Sequence, residues 1–247
     1  MSQFLRTLKD RLPAPLRWQL RRARHFGAAR YCTVCGSHVR GFVPAGNIRR
    51  ENVECPVCGS RERHRLGWLF LERRTNLHDG RPKRLLHIAP EFSLERRFRR
   101  IAGLDYLSAD LENPAMVKMD ITRIQYPDAS FDAIYCSHVL EHIPDDRAAL
   151  REFYRVLKPG GWAALLVPVL GAHTVEDVIE DDAERLRRYL GVDHVRAYGL
   201  DMVERMRAAG FRAEAVQARD LVSPAQMTTF GFLDEPVFYG VKPITPT

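Results

Sequence analysis

Residues 131–169 read FDAIYCSHVLEHIPDDRAALREFYRVLKPGGWAALLVPV. Residues 131–139 are a mostly apolar run of strand length. Asp145 and Asp146 follow where a helix would begin, and acidic groups are favoured there by the free backbone N–H groups and the helix dipole. Ala149, Phe153, Val156 and Leu157 then recur at helical spacing. Lys158-Pro159-Gly160-Gly161 stops that helix, and residues 162–169 form a second apolar run. Two buried strands joined by a helix make a βαβ unit, which demands a parallel sheet.

The alternation continues on both sides. Strands are predicted over 84–89, 105–111, 117–121, 213–221 and 236–241. Helices are predicted over 94–102, within 175–190, and over 200–209, where Gly210 ends the last. Seven strands with intervening helices give an α/β fold with a doubly wound sheet. Four segments precede or make up this domain: a basic amphipathic extension (1–30), a cysteine module (31–60), a connecting helix and joint (61–83), and the main domain (84–247). The connecting helix is marked by Leu66, Leu69, Phe70 and Arg73 over 61–75. The run Gly59-Ser60-Arg61-Glu62-Arg63-His64-Arg65 before it is either a phosphate-binding edge or the solvated start of that helix.

The formal charge of +7 lies entirely in residues 1–30, which hold eight Lys or Arg against Asp10 alone. The rest of the chain balances, so the basic pI describes a tail, and a nucleic-acid partner gains little support from it. Helices are predicted over 3–12 and 16–29, broken by Pro13 and Pro15, each with an apolar face opposite arginine. Such a pair lies on an anionic membrane surface, docks on a partner, or packs on its own domain. No apolar run reaches the roughly 18 residues of a spanning helix, and no signal sequence is evident. A cytoplasmic protein is expected, with contact at the inner face of the membrane through 1–30.

Cys32-Thr33-Val34-Cys35-Gly36 and Cys55-Pro56-Val57-Cys58-Gly59 are matching knuckles, with 19 residues between Cys35 and Cys55. That spacing is the zinc-ribbon pattern. Four thiolates close a tetrahedral site, so the zinc would be structural. A module of about 30 residues cannot build its own core, and the metal takes that role. Cys136, inside the 131–139 strand, reads as a small apolar residue.

The pattern FD…HVLEH…E.yRVLKPGG in 131–161 resembles the fourth and fifth strands of class I S-adenosylmethionine-dependent methyltransferases, in their small-molecule, methyltransferase type 11-like branch. The closing helix–AGF–strand–strand pattern resembles that family too. The resemblance covers residues 84–242. It implies a Rossmann-like sheet with an antiparallel last strand, and S-adenosylmethionine held beyond the carboxyl ends of the strands. It places His87, Ala89 and Glu91 at the end of strand one, with Glu91 either bonding the cofactor's ammonium or capping the next helix. It places Asp110 on the ribose, Asp120 and Ile121 at the adenine, and Ser137 beneath the sulfonium. One departure is plain: the first loop, with Pro90, has no glycine, where the family brings backbone close to the cofactor.

A methyl acceptor with a hydroxyl wants a base near neutral pH, and histidine suits that. The candidates are His138 and His142, with Glu141 between them, and His194. The segment 193–198, DHVRAY, is expected to line the acceptor mouth, with Arg196 suited to a carboxylate or phosphate and Tyr198 beside it. The expected acceptor is a small molecule or a glycan-type envelope precursor. An RNA methyltransferase that uses the ribbon to bind RNA, and a scaffold that has lost the cofactor, are the alternatives.

Overall fold

The computed structural model describes residues 13–46 and 49–244. The helix expected over 3–12 lies outside them. Helix α1 (Ala14–His25) is followed by two short antiparallel pairs, β1 (Arg30–Cys32) with β2 (Ser37–Val39), and β3 (Val43–Ala45) with β4 (Arg50–Glu54). Helix α2 (Glu62–Arg74) leads into the main sheet. The expected second helix ends earlier than residue 29, because the chain turns at Phe26 and Arg30 already pairs with Val39.

The main sheet contains β5 (Lys83–Ile88), β6 (Leu104–Asp110), β7 (Val117–Lys118), β8 (Phe131–Ser137), β9 (Leu157–Leu166), β12 (Arg212–Gln217) and β13 (Pro236–Val241). Two short strands outside it, β10 (Val169–Gly171) and β11 (Tyr198–Gly199), pair with each other. The order across the sheet is β12-β13-β9-β8-β5-β6-β7. All neighbours are parallel except β13, which runs against both β12 and β9. The order reverses between β5 and β8, which is where open α/β sheets bind ligands. The doubly wound seven-stranded class with an antiparallel closing strand is therefore present.

Side chains alternate between the two faces, as strand geometry requires. Leu86, Ile88, Ile134, Cys136, Ala163 and Leu165 pack against Leu150 and Phe153 of α4 (Asp146–Val156) and Met206 of α6 (Met202–Ala208). Leu85, Tyr106, Ala133, Tyr135 and Ala164 pack on the other face with Trp68 and Phe70 of α2 and with Leu94 and Phe98 of α3 (Phe92–Phe98). Cys32, Val34, Phe42 and Val57 of the cysteine module join that second cluster. Cys136 is buried as expected.

Asp145 caps α4, its carboxylate accepting from Ala148 N at 2.8 Å. The KPGG segment departs from expectation. α4 gives way directly to β9 at Leu157, which pairs with Phe131, and the register then shifts before Ala133 pairs with Trp162. The four residues form a bulge in a strand rather than a turn. Gly160 has φ +80°, and a Cβ on Gly161 would meet the carbonyls of Lys158 and Asp132 at 2.8 and 2.9 Å. Helix α5 (Asp182–Tyr189) takes only part of the expected 175–190 segment, and β12 stops at Gln217, where a short helix, α7 (Ala218–Leu221), begins. A last helix, α8 (Pro224–Phe230), was not expected.

The start of α2 is not solvated. Glu62, His64 and Arg65 are buried, and Glu62 pairs with Arg50. Arg65 donates to the carbonyls of Val53 (2.9 Å), Ser60 (2.8 Å), Phe230 (2.7 Å) and Gly231 (3.1 Å), and its guanidinium stacks on Phe42 at 3.8 Å. One side chain thus ties the cysteine module to α8 near the chain's other end. Replacing it takes a donor from four carbonyls, of which Ser60 O keeps its bond from Cys55 N at 2.9 Å. Arg65→Ala should lower unfolding free energy by about 3–5 kcal/mol, read as a shift of the urea midpoint. A change under about 1 kcal/mol would show that the tie is not a source of stability.

Candidate functional site at the carboxyl edge of the sheet

The carboxyl ends of β5 and β8 carry two strained residues. Ala89 has φ +48° and His138 has φ +55°, in the left-handed region where a Cβ costs roughly 1–2 kcal/mol. Each is pinned by a backbone bond, Ala89 N to Ala109 O and His138 N to Leu166 O, both 2.8 Å. The first loop has no glycine, yet it takes the backbone turn a glycine would permit. Strain held in place by its surroundings is a mark of functional edges.

Beneath that loop lies a nest of polar groups. His87 is fully buried, with Nδ1 2.9 Å from the Tyr106 hydroxyl and Nε2 2.8 Å from Glu91. It faces the core and holds Glu91, so the expected direct cofactor contact is corrected: His87 is a positioning residue. His64, from the first turn of α2, brings Nε2 to 3.5 Å from the other Glu91 oxygen, while its Nδ1 accepts from Arg61 N at 3.2 Å. Burial pushes the His64 imidazole down to about 3, against the pull of Glu91. Glu91 is brought down to about 2 against its own desolvation, by His64, the His87 hydrogen bond and Arg63. His64 was missed from sequence because no local signal places a helix start over a loop 27 positions later.

Asp110 ends β6, and Asp120 lies two residues past β7, which stops at Lys118, short of the expected strand over 117–121. Asp110 Oδ1 accepts from Glu112 N (2.8 Å) and Asn113 N (2.6 Å), which leaves Oδ2 with a single 3.4 Å contact from Asn113. Asp120 Oδ1 accepts from Thr122 N and Oγ1, and these bonds hold its carboxyl below the usual range. Each aspartate is thus fixed by one oxygen and presents the other. Ile121 is buried among core residues including Met119, so its side chain serves the core.

Ser137 and Glu141 follow β8. Ser137 Oγ and both Glu141 oxygens are buried with no hydrogen-bond partner among the described residues, and so are Glu91 Oε1 and the Tyr135 hydroxyl. Each orphaned group costs about 1–3 kcal/mol. His138 is a quarter exposed, and its Nδ1 lies 3.3 Å from Glu141 Oε1. That imidazole lowers the Glu141 carboxyl, which burial alone would raise.

Two expected acceptor residues do other work. Arg196 is 4 % exposed and donates to the carbonyls of Leu140, Ile143 and Pro144 and to Glu176. Tyr198 is fully buried and donates to Asp146 at 2.7 Å. With Arg205 they form a network round buried Asp146 and the exposed Glu176, in which both side chains are already engaged, so neither is available to an acceptor. His194 is nearly buried, with Nδ1 2.5 Å from Tyr189 O, and its ring meets that of His142.

The four cysteines converge. Cys32 Sγ lies 3.6 Å from Cys58 Sγ, Cys35 Sγ lies 3.8 Å from Cys55 Sγ, and all four lie within 4.8 Å of one another. Gly36 and Gly59, both at positive φ, bond back to Cys32 O and Cys55 O and close the two knuckles. Ser60 Oγ reaches Cys32 and Cys58 at 3.1 Å. Four sulfurs round an ion at about 2.3 Å stand roughly 3.8 Å apart, so the donor set fits zinc.

His64 sets a pH dependence. Well above pH 6.5 neither folded nor unfolded chain protonates it. Between 6.5 and about 3 the unfolded chain takes up a proton that the fold refuses, so stability falls as pH falls. Thermal melts from pH 7 to pH 5 should show a smaller loss for His64→Gln than for the wild type. Parallel losses would mean that His64 protonates freely in the fold.

Residues 90–165 match a family model described as "Methyltransferase domain". The chain is 37 % identical over 103 residues to 27-O-demethylrifamycin SV methyltransferase of Amycolatopsis mediterranei, covering 40 % of this chain and 35 % of that protein. It is 41 % identical over 58 residues to demethylmenaquinone methyltransferase of Listeria welshimeri, covering 24 % and 25 %. The chain thus spans about a third or less of these curated relatives. Among solved structures, the [4+2]-cyclase SpnF aligns over 73 % of this chain and 81 % of its own, at 20 % identity and TM-score 0.49. The matched segment runs from the first loop through β9 and contains Glu91, Asp110, Asp120, Ser137, His138 and Glu141. Residues 90–165 are thus a segment of methyltransferase-domain type, set in the seven-stranded sheet described above.

Proposed function

We propose that the chain is an S-adenosylmethionine-dependent methyltransferase acting on a small-molecule acceptor, with a structural zinc ion on Cys32, Cys35, Cys55 and Cys58. The observation that carries this reading is the row of orphaned polar atoms at the carboxyl edge of β5 and β8, inside the matched segment. Glu91 Oε1 and Ser137 Oγ would hold the amino-acid end of the cofactor. The open oxygens of Asp110 and Asp120 would take the ribose and the adenine. When bound, S-adenosylmethionine supplies an electrophilic methyl group. His138 Nε2 takes the acceptor's proton, while Glu141 at Nδ1 orients the ring and stabilises its charged form. His87 and His64 hold Glu91 in place from below.

The acceptor class is argued from the relatives and from one cleft. The two curated relatives are named for methylating demethylrifamycin and demethylmenaquinone, both small molecules. A cleft of about 910 Å³ between α1 and the second knuckle has Arg17, Arg21, Arg24 and His25 on its walls against the single acid Glu54, with Leu20 and Phe92 among its apolar lining. Phe92 adjoins Glu91 in the chain. Basic and apolar walls together suit an amphiphilic anionic acceptor, including an envelope precursor met at a membrane surface.

Calorimetric titration with S-adenosylhomocysteine tests the cofactor site. Micromolar binding is expected, weakened at least about tenfold in Asp110→Ala by loss of charged hydrogen bonds to the ribose. Folded wild type that binds neither this compound nor S-adenosylmethionine would overturn the reading.

The zinc proposal has its own test. Cys35→Ser with Cys58→Ser should lose one equivalent of zinc, and its melting temperature should fall by about 10 °C or more. Unchanged zinc content and melting temperature would contradict a structural ion on the four cysteines.

A further inference from the structure

A second group of metal-ligand side chains lies beside His138, assembled from two parts of the chain. Glu141 and His142 sit in the turn after β8, and His194 in the segment after α5. One ligand atom from each lies within 4.8 Å of the others. A backbone bond from Val195 N to Glu141 O (2.9 Å) fastens the two segments together.

The two imidazoles are already oriented. His142 Nδ1 lies 3.2 Å from Asp193 Oδ2, and His194 Nδ1 lies 2.5 Å from Tyr189 O. An oxygen acceptor at Nδ1 fixes the ring proton there and leaves Nε2 with its lone pair. Metal-ligating histidines are held in this way, with a carboxylate or carbonyl behind the ring. Glu141 is an independent sign. Its side chain is 1 % exposed, Oε1 faces His138 Nδ1 at 3.3 Å, and Oε2 has no partner among the described residues, which leaves it for a cation. A buried carboxylate so poorly paired is costly, and a bound cation removes the cost.

We infer that Glu141, His142 and His194 bind one divalent transition-metal ion, through the two Nε2 atoms and a carboxylate oxygen, with Asp193 as a positioning residue behind His142. Two imidazoles and one carboxylate select zinc, cobalt(II) or iron(II) over magnesium and calcium. Three protein ligands leave the ion open to a further oxygen, unlike the closed four-cysteine set. His142 is about a third exposed, so the ion is reached from solvent. The binding stands on these contacts alone. Its use, lowering the pKa of an acceptor hydroxyl next to His138, rests on the methyltransferase reading.

The test is cobalt(II) titration of full-length protein whose cysteine site is already filled with zinc. One equivalent should bind, with the weak visible bands of nitrogen and oxygen coordination and no sulfur charge-transfer band. His142→Ala should abolish this binding, and Asp193→Asn should weaken it about 10–100-fold. Both changes lie at partly or well exposed positions, and circular dichroism confirms that each variant is folded. Absence of binding by the wild type, binding unchanged in His142→Ala, or a sulfur charge-transfer spectrum would each overturn the site. S-adenosylhomocysteine binding is measured on the same samples without cobalt, so loss of the metal site and loss of the cofactor reading are told apart.

Discussion

Arg65 is the constraint on which the arrangement of the molecule depends. Its guanidinium is desolvated, which lowers its pKa, and nearby cysteines and Glu62 favour the charge. It is kept charged by carbonyls drawn from β4, the second knuckle and the end of α8. Those bonds fix the first turn of α2, and that turn carries His64 to Glu91. The cysteine module therefore acts beyond its own fold: it seats the helix whose start overhangs the first loop of the sheet. Thr33 Oγ1, donating to Arg65 O at 2.7 Å, reinforces the same joint from the first knuckle.

The edge so positioned stores unfavourable terms close together. Ala89 and His138 hold strained backbone, Glu91 and Glu141 are carboxylates in dry surroundings, and Ser137 and Tyr135 have hydroxyls without partners. The strained backbone and the partnerless hydroxyls lower stability without a structural return, while Glu91 and Glu141 are held ionised by the histidines beside them. The opposite case lies nearby in the network of Asp146, Glu176, Arg196, Arg205 and Tyr198. There every charge meets an opposite charge, and Glu176 is brought down to about 2, first by its hydrogen bond from Arg205. One cluster is charge-paired and structural; the other rests on histidine contacts, keeps several polar atoms without a partner among the described residues, and lies at the edge where open α/β sheets bind ligands.

Much of this was legible in the sequence, and the failures have physical causes. The βαβ unit, the strand order class and the cysteine module follow from apolar runs and from spacing, which are local properties. The KPGG bulge was misread because proline and glycines signal a turn, while the pairing of Leu157 with Phe131 is long-range. Helix α8 carried a readable sign, the Ser223…Gln226 cap, with the Ser223 hydroxyl accepting from Gln226 N. The placement of His87 at a strand end was right, but its facing was not. Leu85 and His87 share one face of β5, and period-two alternation turns both toward the core. Arg196 and Tyr198 read as acceptor residues because their partners, Glu176 and Asp146, lie 20 and 52 positions away. Nothing local announces such a pairing.

The central claim is that the carboxyl edge of β5, β6 and β8 receives S-adenosylmethionine. Hydrogen–deuterium exchange of the zinc-loaded protein, with and without S-adenosylhomocysteine, tests it most directly. Protection confined to peptides spanning 87–93, 108–121 and 137–142 is the predicted result. Folded protein with unchanged exchange at saturating ligand, or with protection only in residues 14–60, would contradict it.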